Sequence, residues 1–279
     1  MSNQTSNNNK RIAKNTLLLY FRMLVTMCVS LFTSRVVLAA LGVNDYGIYN
    51  VVGGFVAMFA IVSQAMTTAT QRFLSFEIGK GNNGKITDLF STAVLIHIFI
   101  AIFVLVVAET AGLWFLNNKM VFASSRYIAA NWVYQFSILT FIVNIISVPY
   151  NASLVAYEKM NAFAYVSIIE VILKLLIVYA LFITGIDKLI MYSFLLCLVA
   201  FSIRLIYGIY VKKHFPECRC EWRINKYFRK KMFSFVSWNM IGSIAFILKE
   251  QGINVVLNLF FGSSVNAAKG VTSQVMGAL

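Results

Sequence analysis

TLLLYFRMLVTMCVSLFTSRVVLAALGVNDYGIYNVVGG, residues 16–54, is the stretch on which the fold turns. From Thr16 to Leu41 it is apolar apart from Arg22, Arg35 and scattered hydroxyls. The run stops at Gly42, and after Asp45 a second apolar run starts at Tyr46. A hydrocarbon core about 30 Å thick is crossed by about 20 apolar residues, each rising about 1.5 Å. The first run is long enough to span a bilayer. It is also much longer than the roughly 7–15-residue core of a cleaved signal peptide, so it reads as a retained helix. A glycine turn followed at once by re-entry predicts two antiparallel spanning helices.

The rest of the chain has the same texture. Of 279 residues, 59% are hydrophobic and 12% charged, with a mean hydropathy of +0.76. A soluble domain carries about 25% charged residues. Half that charge cannot cover a soluble 31.4 kDa protein. Polar bias, a Gly-X-Y period and charged heptads are all missing, which excludes disorder, collagen and coiled coil. Pro149 and Pro216 are the only prolines, and no Ser/Pro linker separates soluble domains. Six further complete spans follow the first: Tyr46–Phe73, Leu89–Ala108, Tyr127–Pro149, Asn161–Ile183, Leu189–Val211 and Ser234–Phe261. An eighth opens near Asn266 and has about 14 residues before Leu279, too few to cross. The expected fold class is an all-α polytopic transmembrane bundle. Residues 1–15 read as a disordered cytoplasmic tail and 16–211 as a six-helix lobe. Residues 212–232 read as a basic linker and 233–279 as an incomplete second lobe, so the chain is expected to be a fragment or a natural truncation.

Lys and Arg in the loops set the orientation. Lys10, Arg11, Lys14, Arg72, Lys80, Lys85 and Lys159 fall on one side, with Lys212, Lys213, Arg219, Arg223, Lys226, Arg229, Lys230 and Lys231. Lys119, Arg126 and Lys188 fall on the other. The excess places the N-terminus in the cytoplasm of a plasma (inner) membrane, opposite to a seven-helix receptor. It also accounts for most of the formal charge of +14 without any nucleic-acid partner. Within the 212–232 loop, Trp222, Ile224, Tyr227, Phe228 and Met232 alternate with basic residues. This pattern suits an amphipathic helix on anionic inner-leaflet lipids, or a solvated charged linker.

Two turns resemble each other. VVLAALGVNDYGIYNVVGG at 36–54 and VVLNLFFGSSVNAAKGVTS at 255–273 each end an apolar helix, turn at a glycine (Gly42, Gly262) and re-enter past a second one (Gly47, Gly270). A six-helix repeat would echo spans 1–2 in spans 7–8. Both copies enter from one side, as in parallel-repeat transporters.

On these features the chain resembles the polysaccharide flippases, of O-antigen and capsule type, in the multidrug/oligosaccharidyl-lipid/polysaccharide exporter superfamily. The resemblance rests on the basic tail, the LGVNDYGIYN turn (Leu41 to Asn50), ATQRFLSFEIGKGN at 69–82 and the basic 212–232 loop. It covers the whole chain. It implies two lobes of six helices and alternating-access translocation of a polyprenyl-pyrophosphate-linked oligosaccharide, alongside other polysaccharide assembly proteins. Two alternatives stand beside it: a cation-coupled multidrug exporter of the same superfamily, and a non-transporting membrane scaffold. Such exporters hold Asp or Glu within the membrane in the first lobe, whereas spans 1 and 2 here have no acid between Thr16 and Phe73 except Asp45 in the turn.

Ionisable residues within a membrane are costly and mark candidate sites. Glu170 and Lys174 share a helix face at i,i+4, as a structural ion pair or as a lumen pair with Lys174 on substrate. Lys249 and Glu250 are central in span 7 and diverge by about 100°. Glu250 lies on a polar stripe with Asn239, Ser243, Asn254 and Asn258, and span 2 carries Asn50, Gly54, Gln64 and Thr68. Such stripes face a cavity or another helix. Arg35, Lys249 and Lys269 are the expected cationic cradle for a pyrophosphate, though Arg35 and Lys269 could instead reach outer headgroups. Arg204 and Arg22 have the same alternative at the inner side. His97 reads as a packed imidazole bonded to its helix. His214, Cys218 and Cys220 lack a fourth ligand and zinc spacing, so no metal is expected. No Walker loop, G-x-S-x-G or H-E-x-x-H occurs, so neither an enzyme nor a cofactor is expected.

Overall fold

The computed structural model describes residues 2–81, 84–183, 185 and 187–278. Side chains are described at all of these except 2–12, 14, 61, 239–248, 250, 274, 275, 277 and 278. Among the described residues every regular element is helical and there is no strand. The helices are α1 (Ser2–Ala57), α2 (Ala60–Gly79), α3 (Ile86–Val107), α4 (Leu113–Asn118), α5 (Tyr127–Ala156), α6 (Met160–Ile183), α7 (Lys188–His214), α8 (Lys226–Phe261) and α9 (Ser263–Ala278). A π-turn at Ala108–Gly112 joins α3 to α4. α1 is continuous from Ser2 and so takes in the stretch expected to be a disordered tail.

Among the described residues, five helical stretches are long and apolar enough to cross a membrane: Asn15–Ala57, Ile86–Asn118, Ser124–Ala156, Met160–Ile183 and Lys188–His214. The second expected span breaks near Met58, where i→i+3 bonds from Met58 to Phe55 and from Phe59 to Val56 replace the α pattern. Of the seventh, the described apolar stretch is Gln251–Phe261. Large apolar side chains point outward, among them Phe99, Ile102 and Phe103 on α3 and Ile172, Leu176 and Phe182 on α6. Lipid is the solvent that suits such faces.

Polar contacts tie the two ends of the bundle and show which way each helix runs. At one end Arg22 lies 4.4 Å over Phe163, and Arg72 lies 4.8 Å over Phe235. At the other, Arg126 bridges Asp45 and Asp187. α1 therefore travels from one end to the other before Gly42 and starts back after it. Gly42 has φ 79° and ψ 169°, which only glycine adopts without strain.

The basic linker is a strap, not a separate amphipathic helix. Residues 215–225 are non-helical, and the start of α3 holds them. Thr87 Oγ1 donates to the Glu217 carbonyl at 2.8 Å, and Ser91 Oγ accepts from Glu221 N at 2.9 Å. Asn225 N donates to Thr92 Oγ1 at 2.9 Å, and its side chain donates to Asp88 at 3.1 Å. Asn225 then caps α8 through the amide of Tyr227. Phe228 and Met232, expected on the linker, are the buried first turns of α8 against Met66, Ala69, Leu89 and Ala152. Trp222, Ile224 and Tyr227 remain exposed.

These placements set up a labelling experiment. Burial pushes the Cys218 thiol up to about 11, so at neutral pH almost none is the reactive thiolate. With the other native cysteines changed to serine, a cysteine at exposed Asn117 should react with an impermeant maleimide from outside whole cells. One at exposed Arg223 should react only after lysis. The reverse pattern would invert the orientation expected from the loop charges.

The two resembling turns meet. Gly262 has φ 76° and ψ −172°, nearly the conformation of Gly42. Ser264 Oγ donates to Asn44 Oδ1 at 3.0 Å. Gly270 abuts the Asn50 side chain so closely that an added Cβ would lie 2.5 Å from it. Both contacts join residues in equivalent register, counted from Gly42 and Gly262.

Candidate functional site

A cavity of about 490 Å³ lies inside the bundle between α1, α5, α6 and α7. Polar stripes at helical spacing build its walls. α1 contributes Arg22, Thr26, Ser30 and Thr33, and α5 contributes Thr140, Asn144, Ser147 and Asn151. α6 contributes Phe163, Ser167, Glu170 and Lys174, and Tyr49, Tyr192 and Tyr207 close it with their rings. Most of the hydroxyls bond back to their own helix. Thr26, Thr140, Ser147 and Ser167 each donate to a carbonyl four residues earlier, at 2.7 to 2.9 Å. A hydroxyl satisfied in this way still offers lone pairs to the cavity.

Among the described residues, three charged side chains line the cavity. Lys174 Nζ lies 2.6 Å from Glu170 Oε1, with Glu170 on the N-terminal side, the better order for an i,i+4 pair. Arg22 stacks on Phe163 and has no acidic partner among the described residues. Its Nε is buried without a hydrogen bond, as are Thr33 Oγ1 and Asn151 Oδ1. An unpaired cation within a membrane costs about 2.5–3.5 kcal/mol. A cation–π contact returns about 0.5–2 kcal/mol, so Arg22 needs the polar cavity as well as Phe163.

The expected site residues scatter. Lys174 and Asn50 line this cavity. Arg35 on α1 and Lys249 on α8 are exposed, Lys269 on α9 is half-buried, and none of the three lines the cavity. Gln64 is exposed on α2. Asn254 donates to Gln251 at 3.0 Å, and both press on Gly54, where a Cβ would come within 2.9 Å. Asn258 is buried, accepting from Val121 N at 3.0 Å and donating to Val121 O at 3.3 Å. The described part of the α8 stripe thus packs on α1 and on the loop before α5. The side chains of Asn239, Ser243 and Glu250 lie outside the described residues. Arg204 stacks 3.7 Å over Tyr150. His97 Nδ1 lies 2.6 Å from the Ala93 carbonyl, fully buried. Among the described residues no cluster of His, Cys, Asp and Glu could hold a metal ion.

The α5 stripe and the hydroxyls of α1 were not singled out from sequence, although their spacing was visible. Thr140, Asn144, Ser147 and Asn151 recur at i, i+4, i+7 and i+11, the period of one helix face. The π-turn was not foreseen either. There the Tyr134 hydroxyl donates to the Ala108 carbonyl at 2.9 Å and fills the space beside Gly112.

Among the described residues, five helices long and apolar enough to cross a membrane fit a multi-pass membrane protein. No protein-family model, curated protein or solved structure matches the chain.

Proposed function

We propose that this chain forms the leading lobe and the start of the second lobe of a two-lobe flippase. It translocates a polyprenyl-pyrophosphate-linked oligosaccharide across the plasma membrane, with its N-terminus in the cytoplasm. The observation that supports this reading is the pairing of the Gly42 and Gly262 turns, with matching dihedrals and contacts in equivalent register. A parallel repeat about an axis along the membrane normal produces that pairing, and rocking of such repeats gives alternating access. Arg35, Lys249 and Lys269 are the proposed pyrophosphate contacts, with Lys174 secondary. Trp222, Tyr227 and the neighbouring lysines rest on anionic inner-leaflet lipids.

In cells whose own copy of the gene is deleted, Lys249→Ala should cut surface polysaccharide severalfold at unchanged membrane-protein level. Arg35→Ala should cut it less, and Arg204→Ala should leave it near wild type. Normal export with Lys249→Ala and lost export with Arg204→Ala would reverse the assignment of faces.

Glu170 favours a second reading. It is a carboxylate lining a cavity of the first lobe, where a cation-coupled exporter would place one. In that case Glu170→Gln should abolish gradient-driven efflux of a cationic dye and leave polysaccharide export intact.

A further inference from the structure

The intrabundle cavity has a chemistry of its own and meets the seam between the two glycine turns at Asn50. Its charged lining is Arg22, Glu170 and Lys174. Glu170 and Lys174 neutralise each other at 2.6 Å, so Arg22 leaves the cavity with one net positive charge. Phe163 covers one face of the Arg22 guanidinium. What remains is the planar edge, which binds a carboxylate through two parallel hydrogen bonds. The rest of the wall nearby is amide and hydroxyl: Asn151, Ser147 and Asn144 on α5 and Ser167 on α6. Arg22, Thr33 and Asn151 each carry a buried nitrogen or oxygen with no partner among the described residues, which marks this wall as polar.

Size narrows the class. A volume of about 490 Å³ corresponds to about 16 waters, and it lies in the range of pockets that take small organic ligands. A bare halide would leave most of it empty. A purely apolar ligand would strand the amides. We propose that the cavity binds a small hydroxylated carboxylate of the sugar-acid class. The carboxylate sits on Arg22, and the hydroxyls run along Asn151, Ser147 and Asn144 toward the Glu170–Lys174 pair. This assignment rests on the cavity alone and stands whether or not the chain is a flippase.

Equilibrium dialysis of the purified full chain in detergent against radiolabelled glucuronate tests it. Wild type should bind saturably at one site per chain, and Arg22→Gln should weaken binding roughly tenfold or more. Arg22→Lys keeps the charge and loses the fork, so it should fall between them. Asn144→Leu, which changes no charge, should weaken binding severalfold. Arg72→Gln, remote from the cavity, should bind as wild type. Glucose, with the hydroxyls but no carboxylate, should compete poorly, and so should chloride. Size-exclusion profiles establish that each variant is folded. Should Arg22→Gln fail to fold, Arg22→Lys and Asn144→Leu decide the matter. Four results would overturn the proposal. These are no saturable binding by folded wild type at millimolar glucuronate, undiminished binding by both the Arg22 and Asn144 variants, equal competition by glucose, and equal competition by chloride. The last two would mark a neutral-sugar site and a halide site.

Discussion

A valine at position 47 will undock α9 from the bundle. Any Cβ at Gly47 would lie 1.9 Å from the carbonyl oxygen of Ser263 and 2.6 Å from its carbonyl carbon. Both atoms are backbone, so no rotamer change relieves the clash and one helix must move. Overpacking of this kind costs about 1–3 kcal/mol, which shifts a docking equilibrium roughly five- to 150-fold. α9 has 16 residues, and its seat is this seam, where Ser264 meets Asn44 and Gly270 meets Asn50. A bifunctional thiol reagent should link Asn44→Cys to Ser264→Cys in a chain whose native cysteines are serine. The link should disappear when Gly47→Val is added. Gly53→Val is the matched control, because a Cβ there meets nothing within 4 Å and the link should persist. Equal cross-linking with and without Gly47→Val would show that α9 is not seated on Gly47.

The features legible in the sequence were those set by bulk hydrophobicity and by glycine. The apolar runs located the helices, since a backbone in lipid must satisfy itself internally. Gly42 and Gly262 were legible because so few residues tolerate a left-handed φ. The cavity was harder to see for a physical reason. Thr26, Thr140, Ser147 and Ser167 bond to their own helices, so each reads alone as a hydroxyl tolerated in a span. They become a site only because three polar stripes face one another, and that depends on packing between distant segments. Full charges drew attention to Arg35, Lys249 and Lys269, while Arg22 passed as a headgroup anchor. Its neighbour Phe163 is far away in sequence and gave no local signal. The strap at 215–225 was missed in the same way. Thr87, Ser91 and Thr92 look like ordinary residues of the first two turns of a helix until their partners, some 130 residues on, are known.

Replacing Arg126 by leucine should destabilise the fold, and the loss should depend on pH. Arg126 donates from Nε and Nη2 to Asp45 and from Nη1, at 2.6 Å, to Asp187. It thereby joins the starts of three segments, at the α1 turn, α5 and α7. Asp187 also caps α7, accepting from the amides of Leu189 at 3.0 Å and Ile190 at 3.3 Å. The three side chains are 25%, 19% and 30% exposed, so the cluster is neither a surface pair nor a dry one. Surface pairs contribute about 0–1 kcal/mol, and breaking a buried pair costs about 3–5 kcal/mol. About 2 kcal/mol is the intermediate expectation here. Burial acts to raise the pKa of Asp187, but the bonds from Arg126 and from the two amides outweigh it, and the carboxyl is held below its ordinary 3.8. A depressed carboxyl stabilises the fold fully above its unfolded value and loses that contribution as pH falls through the folded one. The gap in unfolding temperature between wild type and Arg126→Leu should therefore be wide at pH 7 and narrow well below 3.8. Arg126→Lys should recover part of it, since an ammonium keeps the charge but cannot fork to two carboxylates. A gap equally wide in acid would mean that Arg126 acts by packing, with Asp45 and Asp187 as bystanders.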